Sequence, residues 1–236
     1  MAASPPPVRI GIYGPEENPN SEIRGCALWA PGYGAALTAA GATPVALGNT
    51  RGNRPWEDIL GGLHGVILTG SDTDTMRQVA DGEALCHWCR DHELPLLGVD
   101  HGLHMLNLAH GGTLYQDLAR ELPEALQHRH PPEKGLRHAI NVLPDTHLAR
   151  LYGEGEIVVN SEHRRGVNRV ARGFQVGARA LDGVIEAIET TGDDWFALGV
   201  QWHPAAGSAS GLDIQLFRGL IDACRERAKA PAALAA

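Results

Sequence analysis

The apolar residues of this chain fall into short runs with two spacings, and the spacing changes partway along. Val8-Arg9-Ile10-Gly11-Ile12-Tyr13 is β-rich and ends at Gly14-Pro15, the pattern of a strand passing into a loop. From about residue 23 to residue 40, apolar positions recur every three or four residues and Gly41 follows, which predicts an amphipathic helix with a glycine stop. Residues 43–47 read as a second strand and 56–63 as a short helix, and Gly65-Val66-Ile67-Leu68-Thr69 reads as a buried strand broken by Gly70-Ser71-Asp72. A helix over 82–92 leads to Leu94-Pro95-Leu96-Leu97-Gly98-Val99, another nearly continuous apolar run. Strands apolar at every position need cover on both faces, so this alternation predicts a parallel sheet between two layers of helices.

Beyond Gly112 the segments shorten. Thr113-Leu114-Tyr115, Ala139-Ile140-Asn141-Val142, Glu156-Ile157-Val158-Val159, Phe174-Gln175-Val176-Gly177-Ala178, Val184-Ile185-Glu186-Ala187-Ile188 and Phe196-Ala197-Leu198-Gly199-Val200 are strand candidates. Their close succession predicts a mixed, partly antiparallel extension of the sheet. A closing helix is expected over 210–229, and 121–135, with its prolines and histidines, is the longest irregular stretch. One α/β domain is expected over 8–229, with a disordered N-terminus at 1–7 and a frayed tail at 230–236.

Composition narrows the function classes. The 236 residues carry a formal charge of −8, and their basic residues are scattered apart from Arg164-Arg165, so no nucleic-acid footprint stands out. No apolar run reaches a membrane span, and 1–7 has neither the basic start nor the apolar core of a secretory signal. A small-molecule substrate, no nucleic-acid or membrane partner, the cytoplasm as compartment and a homodimer as the possible assembly are the expectations. The four cysteines, Cys26, Cys86, Cys89 and Cys224, are too few and too irregular for a disulfide framework. Cys86 and Cys89 have C-x-x-C spacing but no second ligand pair at zinc-finger distance, and on a helix that spacing simply places them on one face. Twelve histidines are the one excess.

Leu96-Leu97-Gly98-Val99-Asp100-His101-Gly102-Leu103-His104 has the form of a nucleophile elbow, a strand turning sharply into a helix with small residues flanking the tip. Open parallel sheets also bind ligands at the carboxyl ends of their strands, so two lines of reasoning meet at Asp100. Here the sequence resembles the class I glutamine amidotransferase superfamily, and within it the γ-glutamyl-γ-aminobutyrate hydrolase branch of the C26 peptidase-like family. The resemblance is carried by Ala39-Ala40-Gly41-Ala42-Thr43-Pro44, Leu63-His64-Gly65-Val66-Ile67-Leu68-Thr69-Gly70-Ser71, the elbow, Ala109-His110-Gly111-Gly112-Thr113-Leu114, Val159-Asn160-Ser161-Glu162-His163 and Ala197-Leu198-Gly199-Val200-Gln201-Trp202-His203-Pro204. It implies a flavodoxin-like fold: a central, mostly parallel sheet with helices on both faces and an antiparallel extension.

In that family a cysteine at the elbow attacks a γ-glutamyl amide, a histidine takes its proton, and a glutamate two residues on orients the histidine. His203 matches the histidine, but Asp100 stands in place of the cysteine and Ala205 in place of the glutamate. A carboxylate is a poor nucleophile toward an amide and an unoriented imidazole a weaker base, so ordinary glutaminase activity is not expected. By the same resemblance, Gly70 and the amide of His101 supply oxyanion donors, Ser71, Ser161, His163 and Gln201 line the substrate pocket, and His104 replaces the family's glutamine. Asp100, His203 and His104 are then the candidate catalytic residues. No cofactor is firmly implied, although Asp100, His104, His163 and His203 could together hold a divalent metal in two-histidine, one-carboxylate style. Three functions stay open: an enzyme of altered chemistry acting on a small γ-glutamyl or amino-acid-derived molecule, a metal-dependent enzyme, and a binding protein that has kept the pocket and lost catalysis.

Overall fold

The computed structural model describes residues 7–14, 32–48, 51–72, 74–129, 136–206 and 211–229. Its elements in chain order are β1 (Val8–Tyr13), α1 (Tyr33–Ala40), β2 (Ala42–Gly48), α2 (Trp56–Leu60), β3 (Gly65–Leu68), α3 (Met76–Asp91), β4 (Leu96–Val99) and α4 (His101–Ala109). There follow β5 (Thr113–Tyr115), α5 (Leu118–Glu121), β6 (Arg137–Val142), α6 (His147–Tyr152), β7 (Gly155–Asn160), β8 (Gly166–Arg169), β9 (Phe174–Ala180), β10 (Ile185–Thr190), β11 (Ala197–Val200) and α7 (Ile214–Lys229).

Among the described residues, all strands join one 11-stranded sheet whose main path is β2-β1-β3-β4-β11-β10-β9-β6-β7. From β2 to β11 every neighbouring pair is parallel. From β10 onward the pairs are antiparallel, which is the expected extension. The unbroken apolar runs are explained by cover on both faces, because side chains alternate along a strand. In β3, Ile67 packs with α1 and α7 residues such as Leu37 and Phe217, while Val66 and Leu68 pack with α3 and α4 residues such as Leu85 and Leu106. The neighbouring β4 divides the same way, with Leu97 and Val99 on the first side and Leu96 on the second.

Several boundaries differ from expectation. Residues 23–31 of the first expected helix lie outside the described residues, as do 1–6, 130–135, 207–210 and 230–236, and α1 occupies only Tyr33–Ala40. Helix α3 starts at Met76 rather than 82 because Thr75 and Gln78 form a capping box, each side chain bonding the other's backbone N–H. The short elements α5, α6 and β8 carry too few residues for a periodic pattern to show. Cys86 and Cys89 lie fully buried in the core between α3 and the sheet, where burial pushes both thiols up and the shared-face explanation of their spacing suffices. Among the described residues no helix is long and apolar enough to cross a membrane.

Candidate functional site

Between the end of β4 at Val99 and the start of α4 at His101, Asp100 alone makes the turn, at φ 50° and ψ −108°. Such a conformation costs a non-glycine residue about 1–3 kcal/mol and survives only where the surroundings enforce it. Here the enforcement is close packing. A Cβ on Gly102 would stand 1.9 Å from the Leu68 carbonyl oxygen, and one on Gly98 would stand 2.9 Å from the Gly102 carbonyl. Only hydrogen at these positions lets α4 settle against β3 and β4, and this is what aims the Asp100 side chain outward. Gly102→Ala is therefore expected to destabilise the protein by about 3 kcal/mol, measured by denaturant unfolding; an unchanged midpoint would show that the contact relaxes freely.

The carboxylate of Asp100 is gripped at one oxygen and open at the other. Gln201 Nε2 donates to Oδ1 at 2.7 Å. The other oxygen, Oδ2, stands 3.8 Å from His203 Nε2 and 3.8 Å from His101 Nε2. The order of motifs thus brings Asp100 and His203 together, as the resemblance implied. Burial works against the charge on Asp100, but His101, His203, His104 and His163 outweigh it and hold the carboxyl below its ordinary value. Burial also opposes protonation of His101, yet Asp100 and Asp72 raise it; Asp72 lies 3.3 Å from its Nε2 and is itself tied to Arg129 at 2.8 Å. The hydrogen bond from His101, foremost, keeps Asp72 far below the usual carboxylate range.

The Gln201 amide also fixes His104. Its NH₂ is committed to Asp100, so its Oε1 faces His104 Nε2 at 2.9 Å and must accept from an Nε2–H. That leaves Nδ1 unprotonated, and this buried atom has no hydrogen bond. Burial drives the His104 pKa down to about 4, so its ring is neutral at pH 7. With no glutamate at position 205, His203 is set instead through its backbone: its N–H donates to Asn160 Oδ1 at 2.9 Å and its carbonyl accepts from Asn160 Nδ2 at 2.9 Å. The ring keeps 30% exposure, so water can reach it.

Other expected pocket residues are engaged elsewhere. Gly70 abuts the elbow helix, its virtual Cβ 2.8 Å from His101 Cβ. Ser71 receives the Asp74 carboxylate on both its N–H (2.9 Å) and its hydroxyl (3.2 Å), and the Ser161 hydroxyl donates to the His128 carbonyl at 2.7 Å. His163 turns its Nε2 toward Glu186, at 3.3 Å, rather than toward Asp100. Of the four metal candidates read from sequence, Asp100 and His104 gather with His101, their ligand atoms within 4.8 Å of one another, while His163 joins a different group. Residues missed in the sequence are Asp72, Arg129, Asn160 and the buried Tyr33, whose phenol bonds Thr69 and feels the Asp100 charge. Asn160 alone carried a signal, since it opens the Asn-Ser-x-His motif.

Comparison with known proteins follows the same lines. The family described as Peptidase C26 matches residues 9–205. A γ-glutamyl-γ-aminobutyrate hydrolase from Escherichia coli O157:H7 is 33% identical over 80% of this chain and 84% of its own length. A Mycobacterium tuberculosis protein named for glutamine amidotransferase is 35% identical over 70% of this chain, which spans only 57% of that relative. In structure, a Thermoplasma acidophilum protein described as a GMP synthase component superposes with a TM-score of 0.71 at 17% identity, covering 95% of this chain and 98% of that one. That likeness bears on the fold alone.

Proposed function

Because the chain belongs to the Peptidase C26 family, we propose that it keeps a pocket for a small γ-glutamyl or amino-acid-derived molecule and acts on it by carboxylate–imidazole chemistry instead of through a thiol. The observation that carries this is the disposition of Asp100. It is an ionised carboxylate at the elbow, anchored by Gln201 at Oδ1 and presenting Oδ2 to His203 at 3.8 Å. That gap is too long for a direct hydrogen bond and of a size that closes when a substrate group enters, as proton-transfer contacts do in occupied sites. In this scheme Asp100 Oδ2 accepts a proton from the substrate or an attacking water, and His203 Nε2–H delivers one to the departing group. In this scheme the α4 N-terminus, which begins at His101, would stabilise charge developing on a carbonyl oxygen beside Asp100.

The lowered pKa of Asp100 favours a second function, in which the carboxylate is a fixed anionic anchor for a substrate ammonium and no reaction follows. One experiment separates the two. Purified wild-type and Asp100→Asn chains are incubated with a panel of γ-glutamyl amides and amino-acid derivatives, with product followed by mass spectrometry and binding by calorimetry. Turnover by the wild type that falls about 100-fold in the variant, with binding retained, supports the enzyme. Binding without turnover, lost together with the carboxylate, supports the anchor.

A further inference from the structure

Beside the elbow, and independent of the roles given to Asp100 and His203, three imidazoles and a carboxylate converge. His128 precedes the undescribed residues 130–135, His138 lies on β6, His163 follows the Asn160-Ser161 motif, and Glu186 lies on β10. Their side chains are between 1% and 6% exposed. We propose that this group is a zinc-class divalent metal site with four protein ligands: His128 Nδ1, His138 Nε2, His163 Nε2 and Glu186 Oε1.

Spacing is the first support. A tetrahedral ion with ligand bonds of ~2.0–2.1 Å sets its donor atoms about 3.3 Å apart. Here His128 Nδ1 to His138 Nε2 is 3.2 Å, and Glu186 Oε1 stands 3.4 Å from His128 Nδ1, 3.6 Å from His138 Nε2 and 3.3 Å from His163 Nε2. All four atoms lie within 4.8 Å of one another.

Outer partners are the second. Each histidine has an acceptor on its far nitrogen: Asp182 Oδ2 at 2.8 Å from His128 Nε2, the Ala139 carbonyl at 3.2 Å from His138 Nδ1, and the Arg165 carbonyl at 2.9 Å from His163 Nδ1. Hydrogen bonds of this kind place the proton on the far nitrogen and aim a bare lone pair inward, which is how metal-bound histidines are held. Asp182 is fixed in turn by the Leu126 N–H at 2.7 Å and the Val184 N–H at 3.0 Å. With those protons held outside, three lone pairs would converge with the Glu186 carboxylate, the donor set of a cation site; without an ion, His128 Nδ1 and His138 Nε2 hydrogen-bond each other at 3.2 Å.

Third, β10 contains its own control. Glu189, also fully buried, accepts from the N–H groups of His147 (2.6 Å) and Leu148 (2.9 Å) and from Gln175 (3.0 Å). Glu186 is equally buried, yet neither oxygen accepts a hydrogen bond, and the buried His163 Nε2 is likewise without one. These atoms face one another at 3.3–3.6 Å without well-formed hydrogen bonds, and a cation at their centre would satisfy them together. With all four positions taken by side chains, the ion is closed to substrate and ties the 128 loop, β6, the 161–165 segment and β10 into one wall beside the elbow.

The untagged full chain is dialysed and its metal content measured, then stripped with a chelator and titrated with zinc alone. One equivalent of zinc or another first-row divalent ion per chain, a higher melting temperature on reloading, and an at least tenfold drop in metal content in His138→Gln and Glu186→Gln support the site. Cobalt(II) added to the stripped wild-type chain should give the intense visible absorption of four-coordinate cobalt, a readout that does not depend on a variant folding. No stoichiometric binding by the wild type would overturn the proposal, since protons shared among the histidines and Glu186 would then suffice. Metal retained in both of those variants but lost in His104→Gln would also overturn it, by assigning the ion to the Asp100 group.

Discussion

A chain carrying both Asp100→Cys and Ala205→Glu is expected to release glutamate from γ-glutamyl amides roughly 10³ times faster than the wild type. The expectation rests on which parts of the hydrolytic apparatus are in place. The elbow conformation at position 100, the packing of Gly98 and Gly102 that enforces it, and the backbone clasp of Asn160 on His203 are all present. The chain lacks the nucleophilic atom and the carboxylate that would orient the imidazole. A thiolate at 100 would face His203 Nε2 from the place where Oδ2 now stands at 3.8 Å. Asp100→Cys alone is expected to recover little, because an imidazole without an orienting carboxylate loses about 10⁴-fold in rate in the best-studied triads. Ala205→Glu alone should recover nothing. The effects are thus strongly non-additive, and the double variant should show a burst of product before steady turnover as the acyl-enzyme accumulates. Glutamate release is the measurement, and alkylation of the introduced thiol by iodoacetamide checks its ionisation. A reactive thiolate without hydrolysis would mean that the pocket no longer accepts a γ-glutamyl group.

What could be read in the sequence divides by the range of the interactions involved. The elbow is legible because its determinants are local: Gly98, Asp100 and Gly102 span five consecutive positions on a strand-to-helix turn, and the turn itself dictates small neighbours. The core strands are legible because cover on both faces removes polar residues from β3 and β4 altogether. The pairing of Asp100 with His203 is legible only through the order of family motifs, since nothing in the spacing forces residues so far apart to meet. The motif marks Gln201 as a pocket residue and not as the amide that binds Asp100 and His104 at once, because its two bonds depend on side-chain orientation. The group around Glu186 is invisible apart from His163. Its members come from a loop, from β6 and β10 on either side of β9, and from the segment after β7, and a glutamate in the run Ile185-Glu186-Ala187-Ile188 looks like an ordinary polar position of a half-exposed strand. In the fold every residue of β10 is buried, which turns that glutamate into a buried charge requiring partners.

Stability should fall as pH drops from about 6.5 toward 4, and His104→Gln should remove about 3 kcal/mol of that fall. The ring of His104 is 97 residues from its hydrogen-bond partner Gln201 in sequence and fully enclosed between α4 and the elbow. Asp100 and His101 face it, and His163 adds a weaker repulsion; burial dominates and takes its pKa from 6.5 to about 4. The folded value is depressed, so above pH 6.5 both folded and unfolded chains hold the ring neutral and the contribution is fully present. Between 6.5 and 4 the unfolded chain takes up a proton that the folded one refuses, and stability is lost as pH falls. Below about 4 both are protonated and the loss is complete. Other, half-buried histidines with depressed values, His110 and His138, slope in the same direction, whereas His101 and His128 are raised and slope the opposite way. Only the difference between wild type and variant therefore isolates His104. Glutamine suits the test because its NH₂ can donate to Gln201 Oε1 in place of Nε2–H while carrying no titrating group. Urea unfolding at intervals from pH 7.5 to pH 4 gives the two curves, and the wild-type curve should drop relative to the variant's toward the acid end. Parallel curves would mean that His104 takes up its proton in the folded chain as readily as in the unfolded one.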